Sequence, residues 1–254
     1  AQYSANSYTV VFNANGGKGT MLDQIFTYDV AKNLRPNTFT KKGYTFAGWM
    51  KSENGTEEVY TNNQEVKNIT TSGTITLYAK WIRNKYTVVY NSNAPVETVQ
   101  GNMENSNFEY DVKGVLKENA YLRKGYKFKC WNTASNGTGT TYSNSAEVNN
   151  LTDVANGIVT LYAEWTPNTY RINFNSNNGT GSMEAQTISY DVTANLNANA
   201  FKKTGYSFAS WNTKSDGTGN SYNNNAEVKN LVETDNGSIT LYAIWTPNTN
   251  TPYK

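Results

Sequence analysis

The chain has 254 residues, with 22 Lys and Arg against 20 Asp and Glu, a formal charge of +2, and charged residues at only 17%. No basic run tracks a nucleic-acid backbone, so nucleic acid is not an expected partner. Histidine is absent, which removes the commonest general base and the commonest metal ligand together, and the one cysteine, Cys130, has no second thiol to pair with.

The composition is otherwise that of β-rich protein: 19 Tyr, 6 Trp and 9 Phe among abundant Asn, Thr, Ser and Gly. No apolar run approaches the roughly 18 residues that span a bilayer, and the first residues, A-Q-Y-S-A-N-S, carry no signal-peptide pattern. The expectation is a soluble piece of a longer protein, without membrane insertion. Along the chain, Tyr8, Val10 and Phe12 alternate with Thr9 and Asn13, as in a half-buried strand. The next stretch, F-N-A-N-G-G-K-G-T, has the glycines and lysine of a phosphate loop. A P-loop needs G-x-x-x-x-G-K-[ST] at a strand-to-helix turn, whereas here Lys18 sits between glycines and M-L-D-Q-I-F-T-Y follows. Further on, Asp29 fits an N-cap, Val30 and Leu34 stand at i,i+4 spacing, and Pro36 follows, which predicts a short helix. Gly43 to Trp49, G-Y-T-F-A-G-W, reads as a strand, Asn54-Gly55 as a turn, and Ile75-Leu77-Ala79-Trp81 as a last alternating strand.

These motifs recur about every 80 residues. G-Y-T-F-A-G-W returns from Gly125 to Trp131 and from Gly205 to Trp211, T-L-Y-A-K-W returns from Thr160 and Thr240, and Y-D-V occurs at Tyr28, Tyr110 and Tyr190. All six tryptophans are thereby assigned, two per copy, and three tandem domains are expected over 7–82, 85–166 and 169–246, with a tail at 247–254. The copies also decide the phosphate question. The second copy carries Ala94, Pro95 and Glu97 where the first has glycines, which a hairpin loop tolerates and a phosphate cradle does not. Linkers of four residues, Ile82–Lys85 and Thr166–Thr169, the latter stiffened by Pro167, predict domains placed end to end as an elongated rod. Strand, strand, short helix and further strands, with first and last strands adjacent, make an α+β, β-grasp-like module: a mixed sheet with one short helix.

The combined signature, N-G-G, then Y, L, N-x-F, G-Y-x-F-x-x-W, E-V-x-N-L and L-Y-A-x-W, resembles the Listeria–Bacteroides repeat, related to the B repeats of internalin-type proteins. The likeness runs from Tyr8 to Trp245, and the second copy departs from it in lacking the Gly-Gly turn and carrying Cys130. The resemblance implies tandem β-grasp-like modules in secreted or wall-attached bacterial surface proteins, and no enzyme.

Candidate chemistry is sparse. Asp29, Asp111 and Asp191, with Glu65, Glu147 and Glu227, recur in all copies and have the residue types of a carboxylate pair, but the aspartate fits a helix cap better and the glutamate a strand edge beside a buried valine. No position carries lysine in all three copies, so an isopeptide crosslink common to the repeats is excluded. Ser215 to Asn220 offers one carboxylate, too few for calcium. No cofactor or metal is expected. Trp49, Trp131 and Trp211 are the binding candidates: strict alternation would put Trp49 on the face of Thr45 and Ala47, exposed as a stacking platform, unless a bulge after Phe46 turns it into the core. What the copies share is mostly aromatic, Leu, Val, Gly and Asn, which is core and turn chemistry. The expected function is a non-catalytic stalk or spacer at the bacterial cell surface or cell wall, a monomer within a longer adhesin-like protein. The alternative is an adhesive module recognising host glycan or protein through Tyr and Trp surfaces.

Overall fold

A computed structural model describes residues 4–55 and 59–249, so the expected tail at 247–254 lies outside the described residues from 250 onward. The described residues fall into two compact units. One holds the chain up to Tyr90 with Glu104–Lys117 and Ser145–Leu161; the other holds Asn91–Met103, Glu118–Asn144 and the chain from Tyr162 on.

In the first unit, Ser7–Asn13 lies between an antiparallel neighbour, Gln24–Thr27, and a parallel one, Gly73–Arg83, whose far edge carries antiparallel Tyr44–Met50. The first and last strands of the repeat are thus adjacent, as the sequence predicts. Tyr8, Val10 and Phe12 point into one core with Phe26, Leu34, Phe39, Trp49, Leu77 and Ala79. The same unit pairs Lys85–Asn91 with Ser106–Glu109, in the register Tyr86↔Phe108 that repeats Tyr8↔Phe26.

The second unit contains Tyr126–Asn132 along the end of Gly157–Pro167, and the sheet of the third repeat. That sheet runs in the order Gln186–Ser189, Thr169–Asn175, Gly237–Pro247, Tyr206–Asn212, Ser221–Tyr222. Its core repeats the first at Tyr170, Ile172, Ile188, Leu196, Phe201, Trp211, Leu241 and Ala243, with Phe174, the counterpart of Phe12, partly buried against it.

The expected helix is absent, and the α+β assignment is corrected to an all-β one. The helical element among the described residues is a single 3₁₀ turn, Val96–Thr98. Asp29 is no N-cap: its φ is +63°, the Val30 amide donates back to the Thr27 carbonyl at 3.2 Å, and a β-turn closes there. The chain then runs extended, Lys32–Asn33 pairing antiparallel with Glu65–Val66. Asp111 and Asp191 turn the same way, with φ of +56° and +62°. Of the spaced pair, Leu34 is fully buried while Val30 is exposed, so one core contact mimicked a helical stripe.

The N-x-N segment at the opening loop is a hairpin end. Asn15, at φ +46°, sends its side-chain amide to the Ala79 carbonyl at 3.0 Å, and the Trp81 indole N–H donates to the Ala14 carbonyl at 2.8 Å. Asn93 with Trp165, and Asn177 with Trp245, repeat both bonds. Asparagine is used because its short amide tolerates the left-handed backbone and reaches a neighbouring carbonyl.

Candidate functional site: the joints between repeats

The residues of the first binding candidates are inside. The ladder between Tyr44–Met50 and Gly73–Arg83 slips between Phe46 and Gly48, and equivalent slips fall between Phe128 and Cys130 and between Phe208 and Ser210. One extra residue reverses the alternation, so Trp49, Trp131 and Trp211 turn inward and are fully buried. Trp49 is packed by Phe12, Phe39 and Phe46 with ring centroids at 4.8, 6.1 and 4.9 Å, and Trp211 by Phe174, Phe201 and Phe208 at 4.9, 6.1 and 5.0 Å. These three indoles leave no face for a ligand to stack on. Cys130, next to the bulge, is also buried, and burial pushes its thiol pKa up.

The recurrent carboxylates do not meet as pairs. Asp29, Asp111 and Asp191 each exchange two bonds with an asparagine 39 residues on: Asn68, Asn150 and Asn230. Glu147 instead takes the Lys113 ammonium at 2.7 Å, and Glu65 and Glu227 sit exposed in two-residue ladders. Among the described residues no cluster of three Cys, Asp or Glu could hold a metal.

What the Asp turns do is lock one repeat to the next, each joint lying within one compact unit. In the first joint the Tyr44 hydroxyl donates to Asp111 Oδ2 at 2.9 Å, and the Tyr44 and Tyr110 rings meet edge-on at 6.0 Å. In the second the Tyr126 hydroxyl donates to Asp191 Oδ2 at 2.7 Å, with the Tyr126 and Tyr190 rings at 5.9 Å. The incoming ring sits on a glycine. A Cβ on Gly43 would collide with the Tyr110 ring, and one on Gly125 with the Tyr190 ring. A single asparagine links the repeats: the Asn84 amide donates to the Gly43 carbonyl (2.8 Å), its carbonyl accepts from the Tyr110 amide (2.9 Å), and its side chain donates to the Asp153 carbonyl (2.7 Å). Asn168 does the same with Gly125, Tyr190 and Glu233, at 2.9, 2.8 and 2.7 Å.

The joints differ in one respect. The Thr45 hydroxyl donates to Asn84 Oδ1 at 2.6 Å, but its counterpart is Lys127, whose ammonium reaches Asp235 at 2.9 Å, leaving Asn168 Oδ1 buried without a hydrogen bond among the described residues. The hydrophobic stem of a lysine cannot replace a hydroxyl, so the second joint exchanges a buried bond for an exposed ion pair of little net weight.

Electrostatics gives the joints a pH window. The Asn150 and Tyr44 hydrogen bonds hold the Asp111 carboxyl below its ordinary 3.8, and Asn230 with Tyr126 does so for Asp191. Tyr44 and Tyr126 are raised above 10.0, by burial first and then by these aspartates. The depressed carboxylates contribute stability that is present above about pH 3.8 and lost as pH falls through their folded values. The raised phenols contribute stability that is lost as pH rises above about 10. Carboxyl-carbon NMR titration is expected to place Asp191 below 3.8 and to return it toward 3.8 in Tyr126→Phe; a wild-type midpoint at or above 3.8 contradicts the joint geometry.

Sequence reading missed the joints and one further device. Asn132 and Asn212 are fully buried and staple the loops after them: Asn212 bonds Gly217, Gly219, Ser221 and Lys214. The first repeat has Met50 in this place, so the shared W-N-T with G-T-G of the other two copies was the available signal.

A family model, the Listeria-Bacteroides repeat domain, matches residues 8–80, 86–164 and 170–244. A putative membrane protein of Evansella cellulosilytica is 28% identical over 256 residues, covering 98% of this chain and 34% of that protein. A putative Gly-rich membrane protein of the same organism is 35% identical over 129 residues, covering 50% and 14%. The chain therefore spans about a third or less of the length of these relatives. Among solved structures, the type 2 repeat of the mucus binding protein MUB from Lactobacillus reuteri aligns at 14% identity and a TM-score of 0.15, covering 65% of this chain and all of that one. The pilus adhesin SpaC from Lactobacillus rhamnosus GG aligns at 13% and 0.20, covering 96% and 44%. Neither superposition is close enough to define the fold, and the matched motifs carry the assignment: the chain belongs to the Listeria-Bacteroides repeat domain family.

Proposed function

We propose that this chain is a non-catalytic spacer segment of a longer bacterial surface protein, displayed outside the cell, with its domains following the three family matches. The observation that carries this reading is the double use of the Gly-Tyr and Tyr-Asp motifs. Most residues common to the copies fill cores, close turns or fasten one repeat to the next, the recurrent glutamates on the short exposed ladders being the exception. A spacer needs those properties, whereas a binder needs a shared exposed surface. Family membership and the membrane-protein names of the two relatives support display at the cell envelope.

The test is scaling with copy number. A spacer contributes reach, so single repeats and the three-repeat chain are expected to show equal and negligible retention on arrays of glycans and matrix proteins. If each repeat carried a weak site, tethering would raise apparent affinity by roughly 100-fold or more from one copy to three. Such a rise would replace the spacer reading with adhesion by the repeats.

A further inference from the structure

The second repeat carries a polar cluster whose residues the other two copies do not share. Glu164 stands opposite Cys130 in the ladder between Tyr126–Asn132 and Gly157–Pro167, beside the bulge whose extra residue is Lys129. Its side chain is only 18% exposed, closed in by the buried Cys130 and by Gly137, where an added Cβ would come within 3.1 Å of Oε1. Lys129 reaches it from the solvent side. Oε2 accepts from the Lys129 ammonium at 2.9 Å, and Oε1 accepts from the Asn132 side-chain amide at 2.8 Å. A primary amine and a carboxamide are thus held on the two oxygens of one carboxylate.

The other end of that carboxamide is held too. Asn132 is fully buried, and its Oδ1 accepts from two backbone amides, Ala134 at 2.9 Å and Gly139 at 3.0 Å. Two N–H groups on a carbonyl oxygen draw electron density from its carbon and stand where a negative oxygen forms on attack. The third repeat shows what the loop needs by itself. Asn212 bonds Gly217, Gly219, Ser221 and Lys214 in the same way, with Ala209 in the place of Lys129 and Ile244 in the place of Glu164. The first repeat has Ala47, Lys80 and Met50 at the three positions. The amine and the carboxylate are therefore additions to a loop that closes without them.

We propose that Lys129 and Asn132 join in an intramolecular amide bond, with Glu164 carrying the protons. Glu164 takes one proton from the Lys129 ammonium, the free amine attacks Asn132 Cγ, and the Ala134 and Gly139 amides hold the oxyanion. Glu164 gives that proton to Nδ2, and the Cγ–Nδ2 bond breaks. It then passes a second proton from the attacking nitrogen to the departing ammonia, which leaves as ammonium, and the carboxylate is restored. One C–N bond forms and one breaks, with no co-reactant. The new bond spans Cys130 and Trp131 and so fixes covalently the bulge that turns Trp131 inward. The reaction occurs once per chain, and it is independent of the spacer reading because it involves no ligand.

The resting ion pair is the wrong protonation state for attack. The Lys129 hydrogen bond holds the Glu164 carboxyl low, helped by the Cys130 thiol, and Glu164 holds the Lys129 ammonium high. Arg123, lining the same small cavity as Glu164, stays charged throughout. Closure is therefore slow and quickens as pH rises toward the range in which lysine loses its proton.

The test is the intact mass and tryptic map of the whole chain, on isolation and after incubation at about pH 9.5. The expected result is the loss of one ammonia, about 17 Da, with cleavage after Lys129 suppressed and fragment ions linking Lys129 to Asn132. Lys129→Arg keeps the ion pair but has no amine to attack with, and is expected to retain its full mass. Glu164→Gln keeps the size and loses the proton carrier, and is expected to slow closure about 100-fold or more. The third repeat folds with Ala209 and Ile244 at these places, so neither substitution removes a group the fold needs. Asn-Gly pairs also shed ammonia when they form succinimides, but those rings open in hydroxylamine and leave Lys129 cleavable. Full mass after prolonged incubation at about pH 9.5, a loss abolished by hydroxylamine, or closure unchanged in Lys129→Arg overturns the proposal.

Discussion

Replacing Trp211 by alanine is expected to destabilise the third repeat by about 3–5 kcal/mol, the cost of removing a large aromatic side chain from a packed core. Every neighbour that would have to close the cavity is itself held. Phe174 is fixed in the parallel ladder, Phe208 is also packed on Trp245 at 5.9 Å, and the Phe201 amide is held by the Asn199 side chain at 3.0 Å. Collapse into the void is therefore poor, and the upper part of the range applies. For a module of this size the loss lowers the melting temperature by well over about 10 °C, read by calorimetry on the whole chain. Trp49→Ala should act likewise on the first repeat, since it is equally buried among Phe12, Phe39 and Phe46. A melting curve unchanged by Trp211→Ala would mean that the bulge before it is not the native register.

The contrast between Trp211 and Asp29 shows which parts of this fold a sequence displays. Strand alternation, the hairpin turns and the threefold repetition were all legible, because period-two apolar patterning and Asn-Gly chemistry act over a few residues. The inward turn of the tryptophans was legible only as a pair of alternatives. G-Y-x-F-x-x-W has one residue too many for strict alternation, and nothing local says on which side of Phe46 the extra residue is absorbed. The Asp turn was misread because aspartate before a spaced apolar pair is also an N-cap pattern. Its partner is Asn68 and not an amide of the next turn. That partner did leave a trace, since Asp-to-Asn separations are 39 in every copy. A constant long-range spacing between two polar residues is what a tertiary hydrogen bond imposes and a helix cap does not. The joints were illegible for a related reason. Gly-Tyr reads as the start of a strand, and only the approach of the following repeat reveals why the first residue has to lack a Cβ.

Gly125→Ala and Gly205→Ala are expected to separate the weight of a joint from the strain of its backbone. Both glycines lie in the left-handed region, at +75° and +77°, where an alanine costs about 1–2 kcal/mol whatever surrounds it. At Gly205 no described residue lies within 4 Å of an added methyl group, so backbone strain is the expected effect. At Gly125 the same methyl falls inside the Tyr190 ring, which is buried and tethered through its amide to Asn168 and through Asp191 to the Tyr126 hydroxyl. The ring cannot slide without breaking those bonds, so a further overpacking cost of about 1–3 kcal/mol is expected. Gly125→Ala should therefore be the more destabilising by that difference, and in that variant the Tyr190 amide, bonded across the joint, should exchange with solvent much faster. Tyr110, seated in the other joint, should keep its protection. Equal effects of the two substitutions would mean that the ring seat holds nothing together, and the repeats would then be joined by the chain alone.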